Sequence, residues 1–84
     1  MDSTNSPIKP LSEIKTGDQV TLFSIKVGRE LTSRLTSLGL TPGTVIEVLQ
    51  NFGRGPLIVN VRGTHVALGR REAARLLVQG VELQ

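Results

Sequence analysis

The chain has 84 residues, ten Lys and Arg against seven Asp and Glu, no cysteine, no Trp or Tyr, and a hydrophobic share of 38%. That length suits a single domain and that apolar share an ordinary globular one, so a wholly disordered protein is excluded. The absence of Cys rules out disulfides, thiolate metal sites and a Cys nucleophile, and a net charge of +3 is too mild to mark a nucleic-acid binder.

In chain order, residues 1–9 are polar with one Pro and predict a frayed tail; order is expected from Pro10. The start carries neither a basic stretch nor an apolar h-region, which argues against a signal peptide. Ser12 is placed to cap a single turn that sends Leu11 and Ile14 inward, and Gly17 sits in a turn with Thr16 and Asp18. Residues 18–27 predict a strand. Val20 and Leu22 are apolar on one parity and Phe23 and Ile25 on the other, so the strand should change face at a bulge. Gly28 opens a helix running to Leu38, with Leu31, Leu35 and Leu38 at i, i+4 and i+7 on one apolar stripe and Glu30 and Arg34 paired on the exposed side. Gly39 then takes the left-handed position of a Schellman ending, and Pro42-Gly43 suits the centre of a type II turn.

Strands are expected over residues 44–50, 57–62, 65–68 and 76–81, with a loop at 51–56, a tight hairpin at Gly63-Thr64 and a short helical turn at 69–74. Residues 82–84 fray, leaving one domain at 10–81. Five short strands, one helix after the first and a helical turn before the last imply a mainly β fold, a small SH3-like barrel. The longest strictly apolar runs, such as Leu57-Ile58-Val59, have three residues and are too short to cross a bilayer, so no direct membrane insertion and a cytoplasmic location are expected.

The string Leu38-Gly39-Leu40-Thr41-Pro42-Gly43, followed by Val45-Ile46-Glu47-Val48, Gly55-Pro56-Leu57-Ile58-Val59 and Arg71-Glu72-Ala73-Ala74, resembles the FeoA family of ferrous iron transport. The likeness covers roughly residues 10 to 79, and the same domain resembles the C-terminal SH3-like domain of iron- and manganese-responsive repressors. It implies an SH3-like barrel that works as an accessory or regulator of FeoB, a membrane iron transporter with a GTP-binding domain. Most of the shared motif is Gly, Pro and apolar residues, which fix a fold rather than a chemistry. Gly17, Leu35, Leu38, Gly39, Pro42, Gly43 and Gly63 are accordingly read as structural.

The chemistry-bearing residues are few. One His and scattered Ser give no catalytic arrangement, so no enzyme and no cofactor are expected. Gly53-Arg54-Gly55 and Gly69-Arg70-Arg71 lack the Gly-Lys-Ser/Thr that completes a phosphate loop. One chain cannot enclose Fe²⁺ or Zn²⁺ with His65 alone; the remaining metal reading is a weak site shared between molecules, His65 with Glu47 or Glu72 of a second copy in a weak homo-oligomer. Nucleic acid is disfavoured because Phe23 and Phe52 are the only aromatics and the Arg residues alternate with acids. The surface expected to meet FeoB is Arg29, Arg34, Leu40, Phe52 and Arg54. The second reading is a stand-alone SH3-like domain of metal-responsive regulation with weak transition-metal binding, or an RNA-binding barrel.

Overall fold

The computed structural model describes residues 7–26 and 29–80, without the side chain of Leu31. The tail at 82–84, the helix-opening Gly28 and the inward turn of Leu31 therefore lie outside the described residues. Six antiparallel strands form one sheet in the order β1-β6-β2-β3-β4-β5: β1 Ile8–Pro10, β2 Gln19–Ile25, β3 Val45–Gln50, β4 Leu57–Val61, β5 Thr64–Leu68 and β6 Leu76–Gly80. Helix α1 (Arg29–Ser37) follows β2, helix α2 (Arg70–Ala74) precedes β6, and a 3₁₀ turn at Leu11–Glu13 follows β1. This is the mainly β, SH3-like architecture expected, with one strand more than the sequence suggested. The extra strand, β1, pairs Ile8 with Gln79 and Pro10 with Leu77. Main-chain pairing at a sheet edge needs no alternating side-chain pattern, which is why Ile8 and Lys9 read as tail.

The core is aliphatic. Val20 and Leu22 from β2, Ile46 and Val48 from β3, Leu57, Val59 and Val61 from β4, and Leu76 and Val78 from β6 are buried with Leu11, Leu35 and Leu68. Two register shifts curl the sheet around them: one between Leu22 and Ser24 against β6, one between Val48 and Gln50 against β4. The first is the bulge foreseen from the parity change, and Phe23 is its extra residue, half exposed.

The expected N-cap is displaced. Pro10 occupies the cap of the 3₁₀ turn without a side-chain bond, and the Ser12 carbonyl is used elsewhere, as described below. Leu11 and Ile14 are nevertheless buried, as the pattern required.

The end of α1 corrects two assignments. Gly39 has φ 92°, its N–H bonds the Thr36 carbonyl at 2.9 Å, and the Leu40 N–H bonds the Leu35 carbonyl at 2.9 Å. These are the paired bonds of a Schellman ending. The Leu38 N–H also bonds the Leu35 carbonyl at 3.0 Å, and Leu38 itself lies one residue beyond the last residue of α1, Ser37. Leu38 is 38% exposed rather than part of the inward stripe, and Leu40, turned back by the Schellman bonds, fills the core in its place at 0%.

Next, Thr44 N–H bonds the Thr41 carbonyl at 3.0 Å around Pro42 and Gly43, whose φ of 94° completes a type II turn. That turn docks on β2 through Gly43 N–H to the Leu22 carbonyl at 2.8 Å and Leu22 N–H to the Thr44 carbonyl at 2.9 Å. The buried Thr44 hydroxyl donates to the Gly39 carbonyl at 3.3 Å, tying helix end and turn together.

The β4–β5 hairpin is one residue out from its predicted position. Val61 pairs with Thr64, so Arg62 and Gly63 form the two-residue loop, with φ of 54° and 83°. Positive φ at both positions suits a type I′ turn, where Asn is favoured first and Arg is strained. Arg62→Asn should therefore raise stability by up to about 1 kcal/mol in chemical denaturation, and a fall would refute the turn assignment.

Candidate partner-binding surface

The loop at residues 51–56 emerges between β3 and β4 and carries Phe52 at its tip, 75% exposed. A loop containing Gly53, Gly55 and Pro56 has no regular pairing, so its shape must come from side chains. Asn51 supplies much of it. Its Nδ2 donates to the Ser12 carbonyl at 3.0 Å and the Ile14 carbonyl at 2.7 Å, while its Oδ1 accepts from Gly53 N–H at 3.0 Å. Its own N–H bonds the Thr16 hydroxyl at 2.8 Å. Arg70, from the first turn of α2, closes the network: Nη2 donates to Asn51 Oδ1 at 2.6 Å, Nη1 to the Ser12 carbonyl at 3.2 Å and Nε to the Gly55 carbonyl at 3.2 Å. The guanidinium thus bonds three residues and ties the 51–56 loop to the 3₁₀ turn, which its forked, planar donor set suits.

Sequence reasoning missed both residues. In the sequence Arg70 reads only as part of a Gly-Arg-Arg string, and Asn51 only as loop. Asn followed closely by Gly does signal a side chain bonding its own loop backbone, as Asn51 and Gly53 do here. The reach to Ser12 and Ile14 is long-range and leaves no local mark.

The other flank of α2 holds α1. Arg34 Nη1 donates to Glu72 Oε2, while Glu72 Oε1 accepts the Gly69 N–H at 3.0 Å and so helps start α2. Arg34 therefore binds across helices, to Glu72 rather than within α1 to Glu30. Residues 70 and 72 project about 200° apart around a helix at 3.6 residues per turn. The loop with Phe52 and Arg54 is thus fastened to one side of α2, and Arg34 to the other. Arg29, Arg34 and Arg54 are exposed, as expected of surface residues. Leu40 is buried and drops out of the surface, because it is the core-filling residue of the α1 ending.

His65 is exposed on β5, and its pairing partner across the ladder is Asn60, which in turn pairs with Glu47. Asn60 Nδ2 lies 3.4 Å from Glu47 Oε1, and Glu72 is engaged by Arg34. Among the described residues no group of three or more His, Asp or Glu side chains converges on a point where an ion could sit. Among the same residues, no helix is long and apolar enough to cross a membrane.

The comparisons with known proteins agree with this architecture. A crystal structure described as the iron uptake regulatory protein FeoA superposes with a TM-score of 0.81 at 37% identity, covering 89% of this chain and 99% of that one. A manganese-dependent transcriptional repressor superposes with a TM-score of 0.83 over 93% of this chain but only 44% of its own, and at 21% identity that likeness is one of fold alone. A protein of Methanocaldococcus jannaschii named "Putative Fe(2+) transport protein A" is 33% identical over 73 residues, 87% of this chain and 88% of that protein. The FeoA domain profile matches residues 9–80, from β1 to the end of β6, and with these relatives it shows that the chain belongs to the FeoA family.

Proposed function

We propose that this protein is a non-enzymatic accessory component of ferrous iron transport. It acts by contact with the cytosolic region of a FeoB-type transporter, with the loop at 51–56 as the contacting element and Phe52 as its apolar anchor. Membership of the FeoA family and the Fe(2+) transport name of its relative support the process. The observation that carries the contact is the state of Phe52: 75% exposed, on a loop held from behind by Asn51 and Arg70. A large apolar side chain on a pre-shaped loop loses little further freedom on docking, and aromatic anchors of this kind dominate interface energies. Arg54, two residues on, supplies an exposed charge beside the anchor.

The test is calorimetric titration of the chain with the purified cytosolic domain of the transporter. Phe52→Ala should cost about 2 kcal/mol of binding, roughly thirtyfold in affinity, and leave the melting temperature nearly unchanged. Arg54→Glu should weaken binding less and mainly slow association. His65→Ala should bind like the wild type. Full association by Phe52→Ala would remove the loop from the interface.

A further inference from the structure

The two ends of the sheet are built differently. At one end β1 has only three residues, includes Lys9 and finishes at Pro10. Short length, a lysine and a proline are the usual devices that stop an edge from pairing with another chain. At the other end β5 has five residues, Thr64, His65, Val66, Ala67 and Leu68, in unbroken register with β4. It contains no Pro, no Lys, no Arg and no carboxylate. Its pairs with β4 run from Val61–Thr64 at the turn to Leu57–Leu68.

In a two-residue hairpin the pair flanking the loop exchanges both main-chain bonds, and the bonding alternates from there. Thr64, Val66 and Leu68 therefore turn their N–H and C=O groups to β4. His65 and Ala67 turn theirs outward, and no further strand lies on that side among the described residues. Val66 and Leu68 point their side chains into the core, and Thr64, His65 and Ala67 are exposed.

We propose that β5 is a self-association edge, taking β5 of a second copy of this chain in antiparallel register about a two-fold axis at Val66. The strand is self-complementary in that register. His65 faces Ala67 of the second copy and Ala67 faces His65, each pair exchanging both of its outward N–H and C=O groups, for roughly four main-chain hydrogen bonds. Val66 meets Val66 as the intervening pair, whose main-chain groups are already satisfied by β4. The largest exposed side chain of the strand thus stands against its smallest, and no like charges meet within it. Just beyond the strand, Arg62 approaches Arg70 of the second copy, but the Arg70 guanidinium is turned onto Asn51, Ser12 and Gly55 of its own chain. Two five-residue strands bury well under the roughly 1,200 Å² of a stable complex, so the dimer is weak and concentration-dependent.

The experiment is sedimentation equilibrium from micromolar to millimolar protein, with amide exchange followed by NMR over the same range. The wild type should shift toward dimer, and the His65 and Ala67 amides should gain about tenfold or more in protection while the Val66 amide changes little. Ala67→Pro removes one outward N–H that β4 does not use, a position where an edge strand tolerates Pro. It should keep its melting temperature and remain monomeric. If Ala67→Pro loses its fold, Ala67→Lys serves instead, placing a charge on the exposed edge without touching the main chain. A wild type monomeric at millimolar concentration would overturn the proposal. So would a dimer that persists in a folded Ala67→Pro or Ala67→Lys variant, or one that protects amides away from β5.

Discussion

Leu40→Ala should lower the free energy of unfolding by about 2–5 kcal/mol in urea denaturation, the range for truncating a buried Leu. The residue lies just past a helix, beside a Pro-Gly turn, where a solvent-exposed contact would be a natural assumption. Its side chain is instead fully buried, and its N–H closes the α1 ending on the Leu35 carbonyl. Removing three side-chain carbons leaves a cavity that surrounding strands can only partly fill, because β3 and β4 are pinned on both sides by their ladders. Leu38→Ala is the control. Leu38 precedes Leu40 by two residues and has the same chemistry, yet it is 38% exposed, so its loss should stay below about 1 kcal/mol. Equal effects at the two positions would return Leu38 to the core and undo the account of the helix ending.

That pair shows where the sequence stops being legible. The helix, its glycine stop and the type II turn were all readable, because Gly39, Pro42 and Gly43 impose local backbone geometry that few residues share. Which leucine faced inward was not. A stripe drawn at i, i+4 and i+7 assumes that the helix runs through Leu38, but α1 ends at Ser37 and the Schellman bonds at Gly39 and Leu40 turn the chain back, so that Leu40 is the one on the core. The bulge at Phe23 was visible because a strand's two-residue period makes a change of face conspicuous. The shift at Leu49 left no such trace, since residues 45–49 alternate little. Of the candidate surface, Phe52 and Arg54 could be found from a Gly-rich loop holding an aromatic. The groups that shape that loop could not, because they come from residues 15 to 58 positions apart along the chain.

Asn51→Ala tests those groups and should cost about 1–3 kcal/mol of stability, because it strips the Ser12 and Ile14 carbonyls of a donor and Arg70 and Gly53 of an acceptor. Arg70→Ala should cost a similar amount, since it frees Asn51 Oδ1 and both the Ser12 and Gly55 carbonyls. The two residues share one hydrogen bond and one acceptor, the Ser12 carbonyl, so their effects should not add. The double variant should fall short of the sum by about 0.5 kcal/mol or more. Strict additivity would mean that each side chain acts alone and that no common clamp exists. Asn51→Asp separates the acceptor from the donor role. A carboxylate retains the bond to Arg70 and strengthens it with charge, but it turns an acceptor onto the Ser12 and Ile14 carbonyls, which have no use for one. Its stability should therefore lie below that of the wild type despite the gained ion pair. The same variants connect the clamp to the proposed contact. If the loop is pre-shaped by Asn51, then Asn51→Ala must also weaken association with the transporter domain at temperatures where the chain is fully folded. Phe52 would then have to be ordered at the moment of binding, at about 0.5–1.5 kcal/mol for an immobilised side chain plus the cost of its loop. Unchanged affinity in a folded Asn51→Ala variant would show that the loop needs no support to present Phe52.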